Sequence, residues 1–240
     1  MTTTVQSQTG LFISFEGGDG CGKTTQARLL GTWLAEQLGV ELCLTREPGG
    51  TTMGQQVRDL VLHGEDMGAH AEALLYAADR AHHVDTLVRP ALERGALVVT
   101  DRYIDSSVAY QGTGRELTAK SIRDLSMWAT QGLVPHLTVL LDIDPAVGAS
   151  RFTDAPDRLE RAGDEFHMRT RQAYLDMAAQ EPHRWVTVDG NGTIEDIAAL
   201  VRQAVVEALV ATLSKSNLQL KLETAQLKAD DAASAGTVTS

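Results

Sequence analysis

The segment Gly17-Gly18-Asp19-Gly20-Cys21-Gly22-Lys23-Thr24 satisfies G-x-x-x-x-G-K-[ST] and restricts the fold of this chain more than any other stretch. Glycines there let the backbone adopt φ values that other residues avoid, so the loop can wrap a phosphate. Successive N–H groups and the start of the following helix then direct partial positive charge inward. Lys23 is expected to reach the β- and γ-phosphates, and the Thr24 hydroxyl to ligate Mg²⁺. The flanks supply the order such a loop requires. Leu11 to Phe15 reads as a short buried strand, and Leu29, Leu30, Trp33, Leu34 and Leu38 recur at helical spacing. The predicted nucleotide cradle runs from Gly17 to Thr25.

Composition narrows the class. A length of 240 residues allows one large domain or two small ones, with a full core. The formal charge of -11 argues against general affinity for nucleic acid or an anionic membrane surface. The two cysteines are Cys21, inside the loop, and Cys43, so a structural disulfide is not expected and a reducing cytoplasm is. No apolar run reaches the ~18 residues of a membrane span, and Met1 to Gly10 lacks the features of a signal peptide.

Strand-like and helix-like segments alternate. Beyond the first strand, Glu41–Thr45, Ala96–Thr100, Leu137–Leu141 and Trp185–Val188 read as strands. Helical patterns cover Gly54–Leu62, Ala71–Arg94, Ala119–Gln131, Pro145–Phe152, Asp164–Ala179 and Ile194–Leu213. This order predicts an α/β fold, a five-stranded parallel sheet with helices on both faces. Ligands in such sheets gather beyond the carboxyl ends of the strands. Those ends are Glu16 to Lys23, Arg46-Glu47-Pro48, Asp101-Arg102 and Asp142. A single domain over 10–213 is expected. The stretch 214–240 has little to bury and reads as a flexible tail.

Asp101 closes an apolar strand, the usual place for an acid that holds P-loop Mg²⁺. Arg102 follows it and can neutralise phosphate charge. Thr45-Arg46-Glu47-Pro48-Gly49-Gly50, Asp101-Arg102-Tyr103 through Ser106-Ser107, and Ala109-Tyr110-Gln111-Gly112 resemble bacterial thymidylate kinases, with the match running from the first strand to about Leu213. The resemblance implies a P-loop nucleoside monophosphate kinase fold, ATP as phosphoryl donor, Mg²⁺, dTMP as acceptor and a homodimer. It implies that Arg46 and Arg102 hold phosphates, Arg102 between donor and acceptor. Asp19 would approach the deoxyribose 3′-hydroxyl and the Mg²⁺ hydration shell. Tyr76 would stack on thymine, Arg80 and Gln111 would hydrogen-bond the base edge, and Tyr110 would exclude a ribose 2′-hydroxyl. Glu47-Pro48 occupies the place of a cis peptide, and Ser107 belongs to the acceptor side. Tyr76 and Arg80 share a helix face at i, i+4. Other readings exist for the same residues: Tyr76 as core, Arg58 and Arg80 as solvated helix residues, Gln111 as turn chemistry. Arg58 could alternatively reach the acceptor phosphate.

The family places a cation over the migrating phosphoryl group either in the P-loop or in a lid. Gly18, Asp19, Gly20 and Cys21 supply none here, so a lid at about 151–161 is expected to do so. Asp157-Arg158-Leu159-Glu160 resembles the lid motif, with Arg158 the first choice for the cation and Arg151 the second. Cys21, among N–H donors beside Lys23, is a candidate reactive thiol. Adjacent His82 and His83 point to different helix faces and make no metal pair. Two rival functions stand beside the kinase of dTMP. One is a deoxynucleoside kinase with Glu47 as base, although Arg46 favours a phosphate acceptor. The other is a nucleotide-dependent switch, which the lack of an Asn-Lys-x-Asp pattern disfavours.

Overall fold

The computed structural model describes residues 10–112, 117–151 and 158–212. Five strands form one parallel sheet in the order β2-β3-β1-β4-β5: β1 (Leu11–Glu16), β2 (Leu42–Arg46), β3 (Leu97–Asp101), β4 (Leu137–Asp142) and β5 (Trp185–Asp189). The three central strands are buried on both faces because helices cover both. The edge strands β2 and β5 are partly exposed, which is why their sequence signal is weaker. Alternation sorts the side chains of β1 between two cores. Ile13 and Phe15 pack with Leu30, Leu34 and Leu38 of α1 (Lys23–Leu38) and with Val201 and Val205 of a C-terminal helix. Phe12 points the other way, into a core with Val84, Val88, Leu92, Tyr103 and Tyr174.

The remaining helices are α2 (Thr52–His63), α3 (Ala69–His83), α4 (Arg89–Glu93), α5 (Ile104–Gln111), α6 (Ala119–Ala129), α7 (Pro145–Ala149), α8 (Asp164–Gln180) and α9 (Ile194–Thr212). Two differ from the sequence reading. The helix expected over 71–94 passes through a π turn at Val84–Val88 before α4. Pro90 has no N–H to donate back along the helix, and the wider turn just before it accommodates that loss. The second difference is α5, which has no counterpart among the predicted helices. All eight of its residues are buried, so its sequence lacks the amphipathic period that marks a surface helix. Gln111 therefore ends a helix rather than sitting in a loop. Phe152 and Leu213, the predicted ends of two helices, lie outside the described residues, as does the predicted tail.

The parallel strands end together, so the P-loop after β1, Arg46 at the end of β2, Arg102 after β3 and Asp142 at the end of β4 share one edge of the sheet. None of the helices described is long and apolar enough to cross a membrane.

Candidate active site

The P-loop leaves β1 at Glu16 and turns into α1 through glycines at positive φ: Gly17 at 138°, Gly20 at 73° and Gly22 at 92°. Gly20 also lies against the backbone of Gly148 in α7. A Cβ on Gly20 would strike the Gly148 carbonyl, and one on Gly148 would strike the Asp19 carbonyl. Two glycines from distant segments thus allow the loop to rest on α7. Lys23 Nζ donates to the Gly18 carbonyl at 2.6 Å and lies 3.5 Å from Cys21 Sγ. The Cys21 thiol is buried against Gly17, which removes the exposure that the reactive-thiol reading needs. Thr24 donates its hydroxyl to Asp101. Lys23, Thr24 and Thr25 line a cleft together with Arg46, Arg58, Asp101, Arg102 and Arg151.

Arg102 holds a left-handed backbone at φ 69°, unusual for a residue with a side chain. Its N–H donates to the Phe15 carbonyl at 2.9 Å, and its own carbonyl accepts from Thr100 Oγ1 at 3.0 Å, so the turn is tied to both β1 and β3. The guanidinium pairs with Asp19, lies 5.0 Å from the centroid of the Tyr110 ring, and donates to Ser106 Oγ at 3.1 Å and Gly17 O at 3.2 Å. Burial would raise the Asp19 pKa, but Arg102 and Lys23 outweigh it and hold the carboxyl below its usual range. Tyr110 Oη donates to Asp19 at 2.8 Å. Beneath this pair lies Glu16, fully buried, accepting from the Tyr103 N–H at 2.9 Å and from Ser106 Oγ at 2.5 Å. Desolvation and the nearby Asp105 push Glu16 up to about 7 despite those bonds.

The acceptor side is a cavity between α2, α3 and α5, lined by Pro48, Arg58, Tyr76, Arg80, Ser107, Tyr110 and Gln111, with Leu62 and Leu159 among the apolar wall. Glu47-Pro48 is a cis peptide. Arg58 donates to the Pro48 carbonyl at 3.2 Å, and burial together with Arg46 lowers its pKa. Arg46 and Arg58 both line the phosphate cleft. Arg80 is clamped by Glu47 at 2.7 Å, Ser126 at 3.0 Å, Tyr103 O at 3.1 Å and Ser107 at 3.0 Å. The other Glu47 oxygen faces His83 Nδ1 at 2.8 Å, and His83 Nε2 faces Thr45 at 2.7 Å. His83 is thus a buried support for Glu47, turned inward from its neighbour His82. The two clefts share Asp19, Glu47, Arg58 and Arg102.

The structure separates the two lid candidates. Arg158 is buried, donating from Nε to the Val61 carbonyl at 2.9 Å and pairing with Glu72. It lines neither the acceptor cavity nor the phosphate cleft. Arg151 instead donates to Gly20 O at 3.2 Å and Gly190 O at 3.1 Å and borders the phosphate cleft. Residues 152–157 of the lid segment lie outside the described residues. Sequence reasoning missed Glu16, Glu72, Gly148 and Tyr174, whose hydroxyl lies 2.8 Å from Ser106 Oγ and donates to Glu16 at 3.2 Å. Glu72 had a usable signal, one helical turn before Tyr76. Gly148 had none, since its partner is a backbone carbonyl over a hundred residues away.

Comparison with known proteins agrees with this layout. The family model described as thymidylate kinase matches residues 15–201. A thymidylate kinase of Clavibacter sepedonicus is 59% identical over 198 residues, covering 81% of this chain and 93% of that protein. One from Bifidobacterium longum (strain NCC 2705) is 55% identical over 203 residues, covering 82% and 98%. One from a Synechococcus strain is 50% identical over 189 residues, covering 79% and 91%. With a phosphate loop and an aromatic cavity meeting at shared arginines, and with likeness over most of its length, the chain belongs to the thymidylate kinase family.

Proposed function

We propose that this chain transfers the γ-phosphoryl group of ATP to the 5′-phosphate of dTMP, giving dTDP and ADP. The observation that carries this reading is the junction of the two clefts at Asp19, Glu47, Arg58 and Arg102. A donor phosphate in the P-loop and an acceptor phosphate beside Pro48 would meet there. Phosphoryl transfer asks for in-line placement and cations around the moving group rather than for covalent help.

In this reading the P-loop N–H groups and Lys23 take the donor phosphates, and Arg46 and Arg58 take the acceptor phosphate. Arg102 stands between them, held by Asp19 and Ser106. Tyr76 presents a ring to thymine, Arg80 and Gln111 meet the base edge, and Tyr110 closes the sugar site. The acceptor is already an anion near neutral pH, so no strong base is required. Glu47 is poorly placed to be one, because Arg80 and His83 occupy its two oxygens. That disfavours a nucleoside kinase.

Thr24 and Asp101 fit Mg²⁺: a hydroxyl and a carboxylate, both hard oxygen donors, already touch at the mouth of the cleft. When bound there the ion would neutralise charge on the donor phosphates. For the cation over the phosphoryl group, Arg151 is the better placed in this conformation, whereas Arg158 would first have to leave Glu72. We further propose one kinase domain over 10–213 and a cytoplasmic homodimer. Leu74 of α3 and Trp128 of α6, the latter 79% exposed, support a self-association surface on two helices packed together.

The test is ADP formation with ATP, Mg²⁺ and each nucleoside monophosphate in turn, with thymidine as control. Turnover confined to dTMP and its near analogues is expected. Turnover with thymidine would instead make this a nucleoside kinase. Light scattering after gel filtration reads the oligomer, and a monomeric mass at micromolar concentration would remove the dimer.

A further inference from the structure

Glu72 is completely buried on α3, four residues before Tyr76, and is bonded to Gln111, which lines the acceptor cavity. Its Oε1 accepts a hydrogen bond from Gln111 Nε2 at 3.0 Å, and its Oε2 takes the Arg158 guanidinium. A carboxylate offers only acceptors, whereas an amide has a donor end and an acceptor end. Gln111 must therefore turn its NH₂ toward Glu72, which makes Oε1 the end available to a ligand in the cavity that Gln111 lines. Arg158 reinforces the arrangement, because its own N–H groups keep the Glu72 side an acceptor.

We infer that Glu72 is a specificity-determining residue: by fixing which way the Gln111 amide points, it makes the site accept a pyrimidine that carries N3–H and reject one whose N3 is a lone pair. Thymine and uracil have that N–H and cytosine does not. Glu72 itself touches no substrate in this scheme and is a positioning residue. The inference rests on reading Gln111 as a base contact.

Glu72→Gln gives the scheme a sign. Arg158 offers only donors, so the amide introduced by that substitution must turn its oxygen to Arg158 and its NH₂ to Gln111. Gln111 then has to reverse, presenting NH₂ to the base and opposing N3–H. An imposed mismatch of one buried hydrogen bond changes selectivity on the order of ten-fold or more. The expected result for Glu72→Gln is a fall of about that size in the ratio of kcat/KM for dTMP to that for dCMP. Most of it should come from loss with dTMP. Full inversion is not expected, because Arg80, the other group read here as meeting the base edge, is left in place. A purely structural role would weaken both substrates alike and leave the ratio in place.

Gln111→Ala is measured alongside. If it collapses the ratio while Glu72→Gln leaves it unchanged, Glu72 does not orient the amide and the inference fails. If Gln111→Ala leaves the ratio unchanged, Gln111 is no base contact and the reading beneath the inference fails as well. Should Glu72→Gln not fold, Glu72→Asp keeps a carboxylate opposite Arg158 but withdraws it from the amide. The ratio must then fall too, by less, and an unchanged ratio in that variant overturns the inference.

Discussion

Glu16 is expected to make the native state less stable as pH rises, and the size of the effect can be worked from its surroundings. Burial and the nearby Asp105 lift its pKa from the ordinary 4.5 to about 7, against the lowering pull of Ser106 and Arg102. The folded protein therefore holds this proton after the unfolded chain has released it. Stability is full below the unfolded pKa and declines until pH passes the folded one. A difference of about 2.5 in pKa at ~1.36 kcal/mol per pH unit is about 3 kcal/mol in all, of which about 2 kcal/mol or slightly more falls between pH 5 and pH 8. Glu16→Gln is neutral at every pH and nearly isosteric, so it should lack this decline. The assay is urea unfolding followed by tryptophan fluorescence, run on parent and variant at both pH values. Titrating groups that do not interact with Glu16, including the buried Asp79 raised to about 6, act in both proteins and cancel in the comparison. The stability gap between variant and parent should shift by about 2 kcal/mol in favour of the variant on going to pH 8. Parallel pH profiles would refute the reasoning and mean that Glu16 is not held in its protonated form.

Three further outcomes are expected. Arg46→Ala should raise the KM for dTMP far more than that for ATP, since Arg46 ends β2 beside Arg58 on the acceptor side; equal weakening of both would place it elsewhere. Tyr110→Phe deletes the hydroxyl that donates to Asp19 and frees space at the sugar. It should raise kcat/KM for UMP relative to dUMP by about ten-fold, and an unchanged ratio would take Tyr110 out of sugar recognition. Gly148→Ala forces a methyl group into the Asp19 carbonyl; thermal denaturation should show a loss of about 1–3 kcal/mol, with weaker use of ATP. Wild-type behaviour of that variant would show that the P-loop does not depend on its seat on α7.

Much of the frame was legible in the residues. The run from Leu11 to Phe15, the glycines from 17 to 22 and the helical spacing after Lys23 together specify strand, loop and helix, because each is a local backbone preference written in neighbouring side chains. The apolar runs of β3 and β4 likewise announced strands covered on both faces. Helix α5 escaped notice for the converse reason: it is buried all round, so no period marks it. Only the tertiary structure decided what each functional side chain touches. It set Arg158 against Glu72 rather than the P-loop, Glu16 beneath Arg102 and Gly148 against Asp19. These partners lie tens to more than a hundred positions apart. Sequence alone determined the backbone path and the supply of charged groups. The direction of each charge was settled by packing, because burial leaves an ionisable or amide group few partners and so selects its orientation.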